Sequence, residues 1–302
     1  MWPYHPESPE AWGDLPTLEN ETTVGYNTDQ RRFTRDFTER AVGFIERSAA
    51  EAAPFFVYLA HPMPHVPLFV SEQGAGASGA GLYGDVIREI DGSVGRIIET
   101  LQRLDLDERT LVLFSSDNGP WLSYGNHAGS AGSLREGKGT TFEGGVRVPF
   151  LARWPGTLPA GRVVSAPAMT IDLLPTLAEL IGAEPPARRI DGRSIWPLLT
   201  GAASESPQPA YAFYYRTNEL QAIRAGRWKL HFPHTYRTMT GQAPGADGIP
   251  GRYDYSATIG RALFDLEADP GETTDVVALH PEVVAELERL AEGFRADLGD
   301  TL

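Results

Sequence analysis

Apolar positions at Phe37, Ala41, Phe44 and Ile45 recur at helical spacing, which predicts one amphipathic helix from Thr34 to about Ala49. The uninterrupted run Pro54-Phe-Phe-Val-Tyr-Leu-Ala60 then predicts a buried strand, ending in His61-Pro-Met-Pro-His65-Val-Pro67. After a Gly/Ala/Ser loop at 74–81, Val86, Ile87, Ile90, Val94, Ile97, Ile98, Leu101 and Leu104 mark a long helix. It leads to a second apolar run, Leu111 to Phe114, read as a strand buried on both faces. Strand, helix, strand in that order predicts a right-handed crossover with parallel strands. Both strands would then end on one edge, His65 close to Asp117 and Asn118. Ligands of open α/β sheets bind beyond the carboxyl ends of the strands, so this edge is where chemistry is expected.

Residues 119–145 hold eight glycines and little apolar periodicity, which predicts a long loop pinned over that edge. Val146 to Trp154 is a further strand candidate, and Ile171, Leu174, Leu177, Ala178 and Ile181 mark a helix closed by Gly182. Past the Ser/Pro-rich patch at 204–209 the pattern changes. Tyr211–Tyr215, Gln221–Arg224, Trp228–Phe232 and Ala262–Leu266 are short strands, and Pro281 opens a helix with Val284, Leu287, Leu290, Ala291 and Phe294 on one face. That is an antiparallel sheet covered by a terminal helix. Two domains are expected, 1–204 and 205–302. Residues 1 to about 30 lack periodicity and are expected to be irregular, and the Pro/Gly-rich stretch 233–260 carries no assignment.

A chain of 302 residues, 41% hydrophobic and 22% charged, has enough apolar material for a sizeable core. Its net charge of -14 disfavours nucleic acid or an anionic membrane as partner, because the surface as a whole repels polyanions, though one small anion in a local basic pocket stays compatible. With no cysteine there is no disulfide and no thiolate metal site. The first ten residues have neither the basic head nor the apolar stretch of a signal peptide, and nothing approaches the length of a membrane span.

A carboxylate beside a carboxamide at Asp117 and Asn118, held on a rim by the Gly119-Pro120 turn, offers hard oxygen atoms suited to Ca²⁺ or Mg²⁺; the same tripeptide also reads as an ordinary turn. Lys138, between Gly137 and Gly139, can bring an ammonium to an anion while the backbone approaches closely, or be a plain solvated lysine. His65, stiffened by Pro64 and Pro67, suits an acid or anion donor, or is a surface histidine. His127 in Gly-Asn-His-Ala-Gly is placed at a substrate entrance or has no role; His61 is read as supporting, and Arg135 with Glu143 as an ion pair.

Together, Phe114-Ser-Ser-Asp117-Asn118-Gly119-Pro120, Leu134-Arg-Glu-Gly-Lys138-Gly-Thr-Thr-Phe-Glu143-Gly-Gly-Val-Arg147-Val-Pro149 and Trp154-Pro-Gly156 resemble the second half of a type I sulfatase of the arylsulfatase group. Tyr58-Leu-Ala-His-Pro-Met-Pro-His65-Val-Pro67 is similar to that family's histidine segment. Ile171-Asp-Leu-Leu-Pro-Thr176, Ile190-Asp-Gly192, Ala222-Ile-Arg-Ala-Gly-Arg-Trp-Lys229 and Leu263-Phe-Asp-Leu-Glu-Ala-Asp-Pro-Gly-Glu272 resemble its later segments, in the same order. The resemblance implies an α/β, alkaline-phosphatase/sulfatase-like mixed sheet sandwiched by helices, incomplete on its N-terminal side, with a small C-terminal antiparallel sheet and helix. It further implies Asp117 and Asn118 as Ca²⁺ ligands, Lys138 and His65 as catalytic contacts to sulfate, with His65 protonating the leaving oxygen, and a small-molecule or glycan sulfate ester as substrate. A periplasmic or secreted location is the family expectation. The chain departs from the family pattern in having neither Cys-x-Pro-x-Arg nor Ser-x-Pro-x-Arg, the segment whose Cys or Ser becomes formylglycine, and it lacks the companion calcium aspartates. It therefore reads as a truncated sulfatase without its nucleophile. A phosphate or phosphonate ester hydrolase of the same superfold, or a non-catalytic sulfated-ligand binder, are the alternatives.

Overall fold

The computed structural model describes residues 14–301, which fall into two compact units. One comprises residues 14–110 together with Trp121–Ser130 and Met239–Tyr253; the other comprises Leu111–Pro120, Ala131–Thr238 and residues 254–301.

The first unit begins with an antiparallel hairpin, β1 (Pro16–Glu19) and β2 (Thr22–Tyr26), turned at Asn20, whose φ of 53° is one that asparagine tolerates. This corrects the irregular segment expected there; residues 1–13 of that expectation lie outside the described residues. Helix α1 (Phe33–Ala50) buries Thr34, Thr38, Ala41, Ile45 and Ser48 along one stripe, and α2 (Gly81–Arg103) buries Val86, Ile90, Ser93 and Leu101. The two helices meet at a polar seam, where the Thr38 and Ser93 hydroxyls lie 2.6 Å apart. Met63, Val66, Leu68 and Val70 pack with Val86, Ile90, Tyr124 and Ala128 into one core.

Residues 54–60, expected as a buried strand, have no ladder partner among the described residues, and Phe56 and Tyr58 are 72% and 84% exposed. An extended apolar run becomes a strand only where a neighbour supplies hydrogen bonds. The parallel crossover is therefore not formed, and with it goes the argument that set His65 beside Asp117.

In the second unit β3 (Val112–Ser115) pairs antiparallel with β4 (Phe150–Arg153), and the short helix α3 (Glu143–Val146) lies between them in sequence. Phe114, Phe150 and Leu151 are exposed, so β3 is not buried on both faces as expected. Helix α4 (Leu173–Ile181) stops at Gly182, whose φ of 65° makes the left-handed cap that glycine adopts without cost; α5 (Trp196–Thr200) follows.

A four-stranded antiparallel sheet comes next, built from β5 (Tyr211–Tyr215), β6 (Glu219–Ala225), β7 (Trp228–His231) and, after a two-stranded ribbon of β8 (His234–Thr238) and β9 (Asp254–Ile259), β10 (Ala262–Asp265). Its order is β10-β7-β6-β5. Helix α6 (Pro281–Leu298) lays Val284, Leu287 and Ala291 on Leu220, Ile223, Leu230 and Leu263. Each buried leucine or isoleucine here contributes about 1.5–3 kcal/mol, so this core is the natural anchor for what β6 and β7 carry on their other face. The sheet and covering helix agree with the sequence expectation. The unassigned stretch 233–260 supplies the ribbon at both ends; its middle, in the first unit, caps the turn at Ser123, whose carbonyl accepts from the N–H of Gly245 (2.9 Å) and of Gly251 (2.7 Å).

Candidate functional site

Beyond β3 the chain turns through Ser116, whose hydroxyl donates to the Asn118 carbonyl at 3.0 Å. The Asn118 amide donates to the Gly119 carbonyl (3.0 Å), which fixes the carboxamide. Asp117 is exposed and takes no hydrogen bond or ion pair from the described residues. Gly119 is required by close approach, since a Cβ there would overlap the Gly144 carbonyl; its N–H donates to Gly145 O at 3.0 Å. One residue on, the Pro120 carbonyl accepts from the Lys138 N–H at 2.9 Å. The structure thus sews the turn carrying Asp117 and Asn118 to the loop carrying Lys138.

That loop is held from behind by charge. Glu143 accepts from Lys229 Nζ (3.0 Å) and from Arg224 (3.2 Å), and Lys229 also reaches Glu272 at 3.2 Å. Glu272 accepts from the Glu143 N–H (2.6 Å) and from His231 Nε2 (2.8 Å). Lys229, His231 and Glu272 are fully buried and Glu143 nearly so. Arg135 was expected to pair with Glu143; instead it donates to the Glu272 carbonyl (2.9 Å) and the Tyr236 hydroxyl (3.0 Å), with its guanidinium 4.1 Å over the Phe142 ring. A fully buried lysine needs two carboxylates around it, and these take Glu143 away from Arg135.

Sequence reasoning treated Lys229 and Glu272 only as ends of motifs and His231 only as part of the strand Trp228–Phe232. The signal was available: Lys229 and His231 alternate with Leu230 in a strand, so both leave the apolar face together. The chain also contains just two lysines, at 138 and 229, against its many arginines. Both stand in or directly behind this loop, where a compact ammonium differs most from a planar guanidinium.

Burial drives the His231 imidazole down to about 4, and burial likewise lowers His61, His127 and His234. Burial alone would raise the Glu272 carboxyl, but the charge of Lys229 and the bond from His231 outweigh it and hold the group at about 2. An unfolded histidine takes up its proton near 6.5, whereas folded His231 refuses it until about 4. The unfolded chain therefore binds more protons across that window, so stability is lost as the pH is lowered through it. Glu272 adds to the loss from 4.5 down to about 2, where its folded-state charge is neutralised. Urea midpoints are expected to drop steadily from pH 7 to 4, and His231→Gln to flatten that slope; an unchanged midpoint at pH 4 would contradict the buried neutral histidine.

The other sequence candidates lie in the first unit. His65 is exposed; its Nδ1–H donates to the Val66 carbonyl at 2.7 Å, which fixes the ring and turns Nε2 outward. Its ring meets the Trp121 indole edge-on at 5.6 Å. His61 Nε2 bonds the Ser93 hydroxyl at 3.0 Å and so serves the seam between α1 and α2. His127 ends a 3₁₀ turn, Leu122–His127, with its Nδ1 buried and unbonded. Beside it Asn126 and Asp247 exchange hydrogen bonds of 2.8 and 2.9 Å.

Among the described residues no three histidine, aspartate or glutamate side chains converge on a metal-sized space. Asp117 and Asn118 suit a hard cation in kind, being oxygen donors not committed elsewhere, but Ca²⁺ takes six to eight oxygens. None of the described helices is long and apolar enough to cross a membrane.

Residues 5–183 match the family model described as sulfatase, and residues 207–301 match that of the C-terminal region of aryl-sulfatase. The chain belongs to the sulfatase family. A third model, N-sulphoglucosamine sulphohydrolase C-terminal, matches residues 137–239 of this sulfatase chain. It is 37% identical over 290 residues to N-acetylgalactosamine-6-sulfatase of Canis lupus familiaris, covering 92% of this chain and 55% of that protein. It is 39% identical over 240 residues to arylsulfatase A of Bos taurus, covering 78% and 47%. The chain spans about half the length of the curated relatives it matches. Among solved structures, a sulfatase of the glycosaminoglycan metabolism of Bacteroides thetaiotaomicron superposes with a TM-score of 0.74 at 29% identity, covering 96% of this chain and 63% of that one. The PsFucS1 sulfatase of Pseudoalteromonas sp. superposes with a TM-score of 0.80 at 24% identity, covering 92% of this chain and 55% of that one, a likeness of fold alone. The α/β sulfatase fold expected from the sequence is thus confirmed.

Proposed function

We propose that this chain forms the part of a sulfuric ester hydrolase that supplies Asp117 and Asn118 to a Ca²⁺ site and Lys138, His65 and His127 to the sulfate ester. The observation that carries the reading is the Pro120–Lys138 backbone bond, which ties the Asp117-Asn118 turn to the loop of the half-exposed lysine. In this reading Lys138 binds a non-bridging sulfate oxygen and offsets the charge that grows there as the ester bond breaks. His65, with its tautomer fixed by Val66, gives its Nε2 proton to the departing ester oxygen when the ring is protonated. His127 lines the entrance. Ca²⁺ would neutralise sulfate charge, taking ligands beyond Asp117 and Asn118 from elsewhere. Formylglycine, the family's nucleophile, has no Cys-x-Pro-x-Arg or Ser-x-Pro-x-Arg precursor among these residues.

The likeness to relatives named for sulfated sugars and for aryl sulfates supports a small-molecule or glycan sulfate ester as substrate. A catalytic portion at 1–204, a C-terminal portion at 205–302, and a periplasmic or secreted setting belong to the same reading. A phosphonate monoester hydrolase of Agrobacterium radiobacter shares the fold at a TM-score of 0.59 and 19% identity, which leaves ester class to experiment.

The test is turnover of 4-nitrophenyl sulfate, 4-nitrophenyl phosphate and a phenyl phosphonate by the protein as its source makes it, in calcium. Sulfate turnover is expected, falling about 10²–10³-fold in Lys138→Ala and in Asp117→Ala, the loss typical of one oxyanion-stabilising group. Preference for the phosphonate, or sulfate turnover undiminished in both variants, would overturn the assignment.

A further inference from the structure

We propose that Arg237 is a positioning residue for Lys138, holding the lysine's own peptide in the conformation that presents its ammonium. The inference rests on the reading of Lys138 as the sulfate contact. Arg237 stands on β8, and its Nε donates to the Lys138 carbonyl at 3.0 Å while a terminal guanidinium nitrogen donates to the same oxygen. Gly139, the next residue, has a φ of 84°, and a Cβ there would overlap the Arg237 guanidinium. The side chain therefore fills the niche that the missing methyl leaves, and the two features require each other.

The neighbouring bonds fix the loop on both sides of residue 138. Before it, the Glu136 carboxylate accepts from the Thr238 hydroxyl at 2.7 Å, so consecutive residues of β8 hold Glu136 and Lys138. After it, the Thr140 hydroxyl donates to Gly137 O (2.9 Å), and the Thr141 hydroxyl reaches the buried Gln221 at 3.3 Å. Behind these stands the Glu143–Lys229–Glu272 cluster. The peptide of Lys138 is thus bonded at its N–H and its carbonyl, and the side chains of Glu136, Thr140 and Thr141 pin the loop on either side. A flexible four-carbon side chain gains aim only from a fixed base, and a second β8 side chain, Thr238, cannot replace the guanidinium at the lysine's own carbonyl.

The composition of the chain makes the test selective. Only Lys138 and Lys229 carry side-chain amines, and Lys229 is fully buried, so amine acylation read at the Lys138 peptide reports one accessible lysine. Wild type, Arg237→Gln and Arg237→Lys would be compared by amide exchange over residues 138–141, by Lys138 acylation against rising inorganic sulfate, and by thermal unfolding. Arg237→Gln is expected to speed exchange about tenfold and to raise the sulfate concentration for half-protection by about tenfold, the size of effect that loss of a charged hydrogen bond produces. The melting temperature should barely move, and Arg237→Lys should recover part of both changes. Exchange and protection equal to wild type in Arg237→Gln would overturn the proposal, as would a loss of both that merely follows a lowered melting temperature and is not recovered by Arg237→Lys. If sulfate fails to protect Lys138 in wild type, the sulfate-contact reading falls. The exchange data alone then decide whether Arg237 holds the loop: faster exchange in Arg237→Gln supports it, unchanged exchange refutes it.

Discussion

Replacing Lys229 by methionine should cost about 3–5 kcal/mol of stability at pH 7, the penalty of leaving buried charges without their partner. Methionine matches the volume, so the loss is electrostatic and not one of packing. Glu143 keeps Arg224 at 3.2 Å and Glu272 keeps His231 at 2.8 Å, but each loses the ammonium that both now share. The variant should also show an altered pH response. Lys229 is a main reason the Glu272 carboxyl stays low, so without it protonation of Glu272 becomes a way to relieve the buried charge. The penalty measured from urea unfolding should therefore be smaller at pH 5 than at pH 7. A loss below about 1 kcal/mol at pH 7 would mean that the cluster is far better solvated than its complete burial indicates.

Asp172→Ala is the second large effect. Asp172 is fully buried at the start of α4 and accepts from the N–H of Met169 and of Arg193, both at 2.9 Å, from the Tyr211 hydroxyl at 2.7 Å, and from the Gln208 amide at 3.3 Å. Burial, together with the bond to this carboxylate, pushes the Tyr211 phenol well above its ordinary value. Alanine would strand several donors at about 1–3 kcal/mol each, for an expected loss of about 4 kcal/mol. Asp172→Asn, which keeps one acceptor oxygen, should lose roughly half as much. Gly192 belongs to the same construction, since a Cβ there would overlap the Ile171 carbonyl. Near-wild-type unfolding midpoints for Asp172→Ala would show that these donors find water instead.

These two residues also show how far a sequence can be read. Ile171-Asp-Leu-Leu-Pro-Thr176 and Ile190-Asp-Gly192 stood out as motifs of a family without showing what they do. The fold shows one carboxylate joining them to each other and to β5. The helices at 33–50, 81–103 and 281–298 were legible because an amphipathic stripe is written in nearest neighbours along the helix, at three- and four-residue spacing. The strand expected at 54–60 was misjudged for the converse reason. Its apolar run was correctly seen, but a ladder depends on a partner that the run itself does not contain.

At the candidate site, the residue types of Asp117, Asn118, Lys138 and His65 suggested the chemistry proposed above, and the Gly119-Pro120 pair suggested the turn that carries the first two. The support behind them was not announced. Lys229 and Glu143 are 86 positions apart, and no local rule pairs them. Arg135, much closer in sequence to Glu143, looked the better partner and was not chosen.

The sequence by itself determined the helices and the C-terminal sheet with its covering helix, because these follow from periodicity, and its functional groups nominated the candidate site residues. Tertiary structure alone decided which carboxylates receive Lys229, that Arg237 fills the niche at Gly139, and that Glu143 turns away from Arg135. Those choices are made between distant segments competing for the same buried charges, and only chain closure brings the competitors together.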